Sequence, residues 1–266
     1  MKLSLLLVGS GKMGQAMLGG WIDKGIRPAD IVVVDPGPEN LAIAARLGCQ
    51  AVDDIPDDFR PDVLVLAVKP QVILDVLPTY RAFAAAGSLI ISIAAGTRLA
   101  TFEAAFGADA AIIRTMPNTP AAVHQGMMVS CANVAVSLVQ REVCDQLMQA
   151  IGEVAWVEEE ALMDAVTGLS GSGPAYVFYM IECMAEAGVK AGLSEALAVQ
   201  LAQQTVAGAG ALARQSSDSA AQLRVNVTSP NGTTAAGLAV LDEKSGLAPL
   251  MEKTVAAATE RSKELG

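Results

Sequence analysis

The feature that most constrains this chain is a glycine-rich turn near its amino end, Gly9-Ser10-Gly11-Lys12-Met13-Gly14. The turn follows an apolar run, Leu3–Val8, that predicts a buried strand, and it opens a stretch with helical periodicity. A second apolar run, Ile31–Val34, ends at Asp35. This order is typical of a dinucleotide-binding βαβ unit, in which the glycines permit a tight turn, close approach of a pyrophosphate and packing of the helix on the strand.

Further apolar runs predict a doubly wound, mostly parallel α/β sheet. They are continuous rather than alternating, which is typical of strands covered on both faces, and helix-length segments separate most of them. We expect a Rossmann domain over residues 1–160 and, because only helical periodicity follows Glu160, an all-helical domain over residues 161–266. The later runs are Val63–Val68, Leu89–Ile93, Ala111–Arg114, Met127–Cys131 and Val154–Val157.

Composition excludes several classes of protein. With 52% hydrophobic and 17% charged residues the chain is not disordered, and a net charge of −10 without a basic cluster excludes nucleic acid as a partner. The longest apolar run, Phe83–Gly96, is too short to span a membrane. Four scattered cysteines and the single His124 predict no metal site, and reduced thiols without a signal-peptide cleavage site favour the cytoplasm.

The helical half is rich in Ala, Gly and Met, which allow helices to approach closely. Its apolar positions recur at helical spacing, as at Val177, Met180, Ile181 and Met184. So small a domain would leave an apolar face wet unless a second copy covered it. We therefore expect a homodimer through the helical half.

Several residues at predicted strand ends are candidate cofactor contacts. A carboxylate at Asp35 would accept hydrogen bonds from an adenosine ribose and repel a 2′-phosphate, which favours NADH, although an Asx turn before Pro36 would also explain it. Lys69 and Pro70 follow the third long strand, and the small residues Ala94-Ala95-Gly96 follow the next, where a nicotinamide could lie flat. For Lys69 an ordinary strand-ending turn is nearly as good an explanation.

Two clusters of glycines and hydroxyls interrupt the helical half, Thr167–Pro174 and Thr228–Thr234. Neither predicts stable helix, and each precedes a predicted helix, whose first N–H groups could bind a small carboxylate. The alternative is that they are ordinary helix caps and turns. In the first half, Met116–Pro120 predicts a stiff loop, and Glu158–Glu160 a solvated turn that could still turn one acid to the site. His124 is more typical of a satisfied or exposed side chain than of a catalytic base.

Taken together, these motifs resemble pyrroline-5-carboxylate reductase. The resemblance rests on Gly9–Gly14, Ala67-Val68-Lys69-Pro70, Met116–Pro120, Gly168–Tyr176 and Ser229–Thr234, in this order along nearly the whole chain. It implies reduction of 1-pyrroline-5-carboxylate to L-proline by NADPH or NADH, a helical domain that interlocks into a dimer, and in many members higher oligomers of that dimer. This chain departs from the family pattern at two places. Asp35 stands where many members have a small polar residue, which favours NADH over NADPH. Asn231-Gly232 replaces the usual glycine pair, and asparagine, like glycine, tolerates a left-handed backbone.

The resemblance also implies roles for individual residues. Thr234 would lie beside the ring nitrogen, and a set of residues would surround the substrate: Glu160, Thr167, Ser172, Gly232, Thr233 and Thr234. The cofactor would contact Gly9, Ser10, Gly11, Lys12, Met13, Gly14, Asp35, Pro36, Ala67, Val68, Lys69, Pro70, Ala94, Ala95, Gly96 and Asn226. Two alternatives are a 3-hydroxyacid dehydrogenase, disfavoured because Gly173–Val177 lacks a lysine, and a non-enzymatic nucleotide-sensing scaffold.

Overall fold

The computed structural model describes residues 3–56 and 59–266, so residues 1–2 of the expected first domain, and residues 57–58 within it, lie outside the described residues. The chain forms two compact units. The first runs up to Gly171 and includes Ala258–Gly266, and the second is Ser172–Ala257. The contacts therefore divide the chain between Gly171 and Ser172 rather than between residues 160 and 161. The domain boundary expected from the sequence stays a prediction.

The first unit contains one eight-stranded sheet in the order β3-β2-β1-β4-β5-β6-β7-β8. All neighbouring strands are parallel except β6 and β7, which are antiparallel. The chain leaves β1 toward β3 and then crosses back to β4, so the switch point of the sheet lies between β1 and β4. The strands are β1 (Leu5–Val8), β2 (Ile31–Val34), β3 (Gln50–Val52), β4 (Val63–Leu66), β5 (Leu89–Ser92), β6 (Ile112–Met116), β7 (Gly126–Ala132) and β8 (Gly152–Trp156).

Helices connect the strands and make up the second unit. Those in the first unit are α1 (Lys12–Asp23), α2 (Pro38–Arg46), α3 (Pro70–Val76), α4 (Arg81–Ala85), α5 (Leu99–Phe106), α6 (Leu138–Met148) and α7 (Met163–Val166). The rest are α8 (Gly173–Lys190), α9 (Glu195–Gln215), α10 (Ala220–Asn226), α11 (Thr233–Leu241) and α12 (Leu247–Leu265). Turns of 3₁₀ helix occur at Pro28–Asp30, Leu77–Tyr80, Thr119–Val123 and Glu160–Leu162, and one turn of π-helix at Thr167–Gly171.

Both faces of the sheet are covered. Leu5 and Leu7 of β1 belong to a core that includes Trp21 of α1, whereas Leu6 and Val8 belong to a second core that includes Phe102 of α5. Because successive side chains of a strand point to opposite faces, a strand covered on both sides needs an unbroken apolar run. The predicted doubly wound α/β fold followed by a helical region is confirmed.

The short edge strand β3 is missing from the sequence-based prediction. Its first residue, Gln50, is exposed and the other two are half-buried, so the segment carries no apolar run. The prediction for Thr167–Gly171 was wrong. This segment was expected to be non-helical, but it continues α7 as one wide π turn. This turn is stabilised by contacts with the loop after β6 rather than by the intrinsic helix propensity of its residues.

The helical unit places few large side chains in a core of its own. Its helices α8 and α9 pack against each other, and Gly188 lies where a Cβ would come within 3.2 Å of the Ala198 side chain. Large apolar residues such as Phe178, Met180 and Leu201 are exposed. Within the described residues, no helix has the length and apolarity that crossing a membrane requires.

Candidate active site

The glycine turn lies at the switch point of the sheet, where open α/β sheets bind ligands. Gly9 follows β1 with φ of 92°, and a Cβ there would lie 2.6 Å from the carbonyl oxygen of Ala67, which follows β4. A Cβ on Gly14 would collide with the carbonyl of Gly9, so only glycine lets α1 start this close to the turn. Gly11 has open space around its Cα, and it is followed by the exposed Lys12 and the half-buried Met13.

The buried hydroxyl of Ser10 fits the interpretation of this turn as a dinucleotide cradle. Ser10 is fully buried, and its Oγ has no hydrogen-bond partner within the described residues. A buried polar group without a partner costs free energy, so such an atom marks a place where a ligand or water completes the bonding. Together with the open space at Gly11 and the free N–H groups of the first turn of α1, it fits a bound pyrophosphate.

Asp35 ties the end of β2 to the glycine turn. Its Oδ2 accepts a hydrogen bond from the Ser10 N–H at 2.6 Å, and its Oδ1 accepts from the Gly37 N–H at 2.7 Å and from Asn40 Nδ2 at 3.0 Å. The residue is buried, whereas Pro36 beside it is exposed. The Asx turn at Asp35 is therefore present, and the residue also lies beside the glycine turn at the switch point of the sheet.

The other predicted cofactor segments follow adjacent strands at the same edge of the sheet. Ala67 and Val68 come directly after β4 and are half-buried, and Lys69 and Pro70 are exposed at the start of α3. Ala94, Ala95 and Gly96 come after β5, where Gly96 has φ of 76°. Parallel strands place their carboxyl ends together, so the structure brings all of these segments to one edge with the glycine turn.

Glu160 is anchored by a buried arginine that sequence reasoning missed. Glu160 Oε1 accepts from Arg114 Nη1 at 2.9 Å and from the Leu99 N–H at 2.7 Å, at the start of α5. Arg114 lies on β6 and only 6% of its side chain is exposed. The expectation of a solvated turn is therefore wrong for Glu160. It is correct for Glu158, whose exposed carboxylate pairs with Arg141. The hydrogen bond and charge of Arg141 lower the pKa of Glu158.

Thr167 begins the π turn, where its hydroxyl donates to the carbonyl oxygen of Met163 at 2.8 Å. A second residue without a predicted role, Asn118, contacts this turn through Ser170. The only sequence signal for Asn118 was its place between the two prolines of Met116–Pro120. π turns occur frequently at functional sites, because they place side chains where a regular helix would not.

The remaining predicted site residues belong to the helical unit. Ser172 precedes α8, and Gly232 is the N-cap of α11, whose first residues Thr233 and Thr234 are exposed. Asn231 has φ of 60°, as expected for an asparagine that replaces glycine. Asn226 ends α10, where its amide donates to Asp218 Oδ2 at 3.1 Å and accepts from Gln222 Nε2 at 2.8 Å.

The other titratable groups that the sequence singled out lie elsewhere. His124 Nδ1 lies 3.1 Å from the Ala150 carbonyl oxygen, which agrees with the interpretation of a satisfied side chain. All four cysteines are free, and burial raises the pKa of Cys49 to about 11 and that of Cys144 to about 12, so these two thiols stay protonated at neutral pH. Among residues 3–56 and 59–266, no cluster of three or more metal-ligating side chains is present.

Comparison with known proteins agrees with this arrangement. A family model for pyrroline-5-carboxylate reductase dimerisation matches residues 160–265, and one for coenzyme F420-dependent NADP oxidoreductases matches residues 4–96. The pyrroline-5-carboxylate reductase of Synechocystis is 44% identical over 100% of this chain and 99% of its own length.

Two solved structures extend the similarity to three dimensions. The pyrroline-5-carboxylate reductase of Coxiella burnetii superposes with a TM-score of 0.95 at 34% identity, covering 100% of this chain and 99% of that one. The Plasmodium falciparum pyrroline carboxylate reductase, solved with NADP bound, has a TM-score of 0.82 at 31% identity and covers 99% and 98%. This chain belongs to the pyrroline-5-carboxylate reductase family.

Proposed function

We propose that this protein reduces 1-pyrroline-5-carboxylate to L-proline, with NADH or NADPH as the hydride donor. The observation that carries the proposal is the full-length similarity to pyrroline-5-carboxylate reductases, in a chain whose glycine turn lies at the switch point of the sheet. In the overall reaction, a hydride adds to the carbon of the C=N bond and the nitrogen carries a proton. When bound, the reduced dinucleotide supplies that hydride.

The first unit supplies the dinucleotide site in this proposal. The N–H groups of Gly9 and Ser10 already donate to the Val34 carbonyl and the Asp35 carboxylate, so the backbone N–H groups from Gly11 to Gly14 hold the pyrophosphate. Asp35 with Pro36 borders the adenosine. Ala67–Pro70 and Ala94–Gly96 contact the ribose and nicotinamide. The orphaned hydroxyl of buried Ser10 supports the assignment, since a ligand at the turn would give it a partner.

The helical residues orient the substrate. The Gly232 N–H was expected to bind the carboxylate as well, but it donates to the Ser229 carbonyl at 3.0 Å. The backbone N–H groups of Thr233 and Thr234, at the N-terminus of α11, therefore bind the carboxylate, and Thr234 Oγ hydrogen-bonds the ring nitrogen. Glu160, Thr167 and Ser172 complete the surroundings of the ring, and Asn226 contributes to the cofactor site. A protonated imine carries its own proton, so the site needs no strong general acid, and alignment can supply on the order of 7–11 kcal/mol.

The proposed assembly is a homodimer through the helical domain, 161–266, with residues 1–160 as the dinucleotide domain. The exposure of Phe178, Met180 and Leu201 supports this proposal, since these side chains would otherwise remain in water. Higher oligomers of the dimer and a cytoplasmic location are the further parts of the proposal.

The test is an assay of the purified protein with 1-pyrroline-5-carboxylate and either NADH or NADPH. We expect oxidation of the dinucleotide and formation of an equal amount of L-proline, identified by chromatography. Binding of the dinucleotide without turnover would favour the nucleotide-sensing scaffold instead. Turnover of a 3-hydroxyacid but not of the imine would favour the dehydrogenase alternative.

A further inference from the structure

The loop that follows β6 has no role in the proposed function, yet one of its side chains connects three separate segments of the first unit. Asn118 Oδ1 accepts a hydrogen bond from the Met127 N–H at 2.8 Å, near the start of β7. Its Nδ2 lies 3.3 Å from both the carbonyl oxygen and the hydroxyl of Ser170, in the π turn. Both ends of the amide are thus engaged by backbone groups, one nine residues away at Met127 and the other 52 residues away at Ser170.

The neighbouring Met116 contacts the same turn. Its methyl group packs against Gly171 so closely that a Cβ there would collide with it. The turn is therefore contacted both by the Met116 side chain and by the Asn118 amide. Gly168, also in the turn, is buried.

A π turn needs such contacts because it is less favourable than a regular helix. The Ser170 carbonyl has no i→i+4 donor, because residue 174 is a proline without an N–H, and in the π turn this carbonyl lies where Asn118 Nδ2 donates to it. Relaxation of the turn to an α-helix would shift the register by one residue, and one residue corresponds to a rotation of about 100° around the helix axis. The residues after Thr167 would then face a different direction relative to Thr167, whose hydroxyl is bonded to Met163 of α7.

We propose that Asn118 is a positioning residue that selects the π register of Thr167–Gly171 and thereby keeps Thr167, whose hydroxyl donates to the Met163 carbonyl and can still accept a hydrogen bond, in place for its contact with the substrate. The second half of this inference rests on the proposed function, in which Thr167 contacts the pyrroline ring. The first half concerns the conformation of the turn alone. In the proposed function, Asn118 acts through the turn and not by contact with substrate or dinucleotide.

The experiment compares Asn118→Ala with a matched variant, Asn133→Ala. Asn133 has an equivalent structural role at the opposite end of β6, where its amide accepts from the Ile112 N–H at 3.1 Å and donates to the Ala110 carbonyl at 2.9 Å. Each variant removes one amide with its backbone hydrogen bonds; the Asn118 amide is half-buried, and the buried Asn133 amide also donates to Glu103 Oε1 at 3.1 Å. Both should therefore unfold at a lower temperature than the unmodified protein.

Only Asn118→Ala should raise KM for 1-pyrroline-5-carboxylate, by about tenfold for the loss of one to two hydrogen bonds, while the dissociation constant of the dinucleotide stays within about twofold. Hydrogen–deuterium exchange should also accelerate at residues 167–172 in this variant alone. Equal substrate KM and equal exchange in the two variants would overturn the proposal.

Two further variants keep the test decisive if Asn118→Ala folds poorly. Asn118→Asp retains the acceptor for Met127 but replaces the donor with an oxygen, so it should raise the substrate KM as Asn118→Ala does. Ser170→Ala removes the hydroxyl and keeps the carbonyl acceptor, so its KM should remain near that of the unmodified protein. Normal kinetics in Asn118→Asp would show that the bond to Ser170 does no positioning. If the reductase assay fails altogether, accelerated exchange at 167–172 still tests the register.

Discussion

The two units of this protein use equally apolar sequence in different ways. In the first, large side chains such as Trp21 and Phe102 are completely buried between sheet and helices. In the second, Ser172–Ala257, the buried residues are three alanines, Ala185, Ala198 and Ala202, and the large apolar side chains remain exposed. The first unit completes its core from its own chain, and the second needs another surface to do so.

The helix α8 shows this dependence most clearly. Its consecutive residues Val177, Phe178, Tyr179 and Met180 are all exposed, although they point in different directions around the helix. A helix that is apolar all round belongs inside a larger core. The proposed dimer would supply that core, which makes the helical unit an obligate interface rather than a domain that dimerises in addition to folding.

The largest expected effect is therefore on assembly. Phe178→Glu would place a charge in the proposed interface of both subunits, and each copy would lose about 1.5–3 kcal/mol of apolar burial before the cost of the buried charge is added. We expect the dissociation constant of the dimer to rise by about 1,000-fold or more, measured by analytical ultracentrifugation. Leu74→Glu, at an exposed leucine of the first unit, should leave the dimer intact. A Phe178→Glu protein that stays dimeric would contradict the comparison.

The second prediction asks whether the helical unit contributes chemistry as well as contact. Thr234→Ala should reduce kcat/KM by about 10- to 1,000-fold, or ~1.4–4 kcal/mol, with dinucleotide affinity nearly unchanged, because it removes a hydrogen bond to the ring nitrogen. The control is Thr254→Ala, which removes a helical hydroxyl that bonds the Leu250 carbonyl in the same unit. Steady-state kinetics of both variants provide the measurement, and unaltered kinetics in Thr234→Ala would remove its proposed role.

The same contrast explains what the sequence could predict. Strands of the first unit were predictable because burial on both faces demands continuous apolar runs, as in Leu5–Val8. The glycines at 9 and 14 were predictable as a motif, although only Gly14 is required by a backbone contact close in sequence, that with Gly9, whereas Gly9 is required by its contact with the distant Ala67. The edge strand β3 could not be predicted in this way, because it is partly exposed and has no continuous apolar run. The proposed roles of Thr167 and Thr234 come from family motifs and stay predictions, and no periodicity in the sequence marks the π turn.

Residues whose partners lie far along the chain were harder to predict. Arg114 was part of a predicted strand, and nothing near it in sequence indicates that its charge is matched by Glu160. Asn118 was similarly placed in a loop without its partner Ser170. Such pairs depend on tertiary contacts, which a single sequence does not reveal.

A third prediction tests how self-contained the first unit is. Glu160→Gln removes the carboxylate that compensates the buried Arg114, while an exposed fraction of 27% at the Glu160 side chain moderates the penalty. We expect a loss of about 2 kcal/mol in the free energy of unfolding, below the 3–5 kcal/mol for a fully buried pair. Urea unfolding at fixed protein concentration measures it.

Glu158→Gln is the matched control, because it breaks the exposed pair with Arg141 instead. Its unfolding midpoint should stay close to that of the unmodified protein, since exposed ion pairs contribute little. Equal midpoints for the two variants would mean that Arg114 does not depend on Glu160.

The smallest expected effect is a change in cofactor preference at Asp35. The carboxylate of this residue accepts a hydrogen bond from the glycine turn and, in the proposed function, also contacts the cofactor. If the carboxylate reads the adenosine ribose, kcat/KM is higher with NADH than with NADPH, and Asp35→Ser narrows or reverses this preference, by about tenfold for one charge-assisted hydrogen bond. The substitution also removes the bonds to the N–H groups of Ser10 and Gly37, so kcat/KM should fall with both dinucleotides. The ratio of the two values therefore isolates the contribution of the ribose.

Asp62→Ser is the control for this ratio. Asp62 likewise accepts from a backbone N–H, that of Ser4 at 2.7 Å, but it precedes β4 at the opposite edge of the sheet from the glycine turn. Its substitution should leave the NADH to NADPH ratio unchanged. Equal use of both dinucleotides by the unmodified protein would contradict the role of Asp35 in selection. If both values fell in Asp35→Ser at a constant ratio, the carboxylate would act only by shaping the turn, and the choice of cofactor would have to be made by other residues.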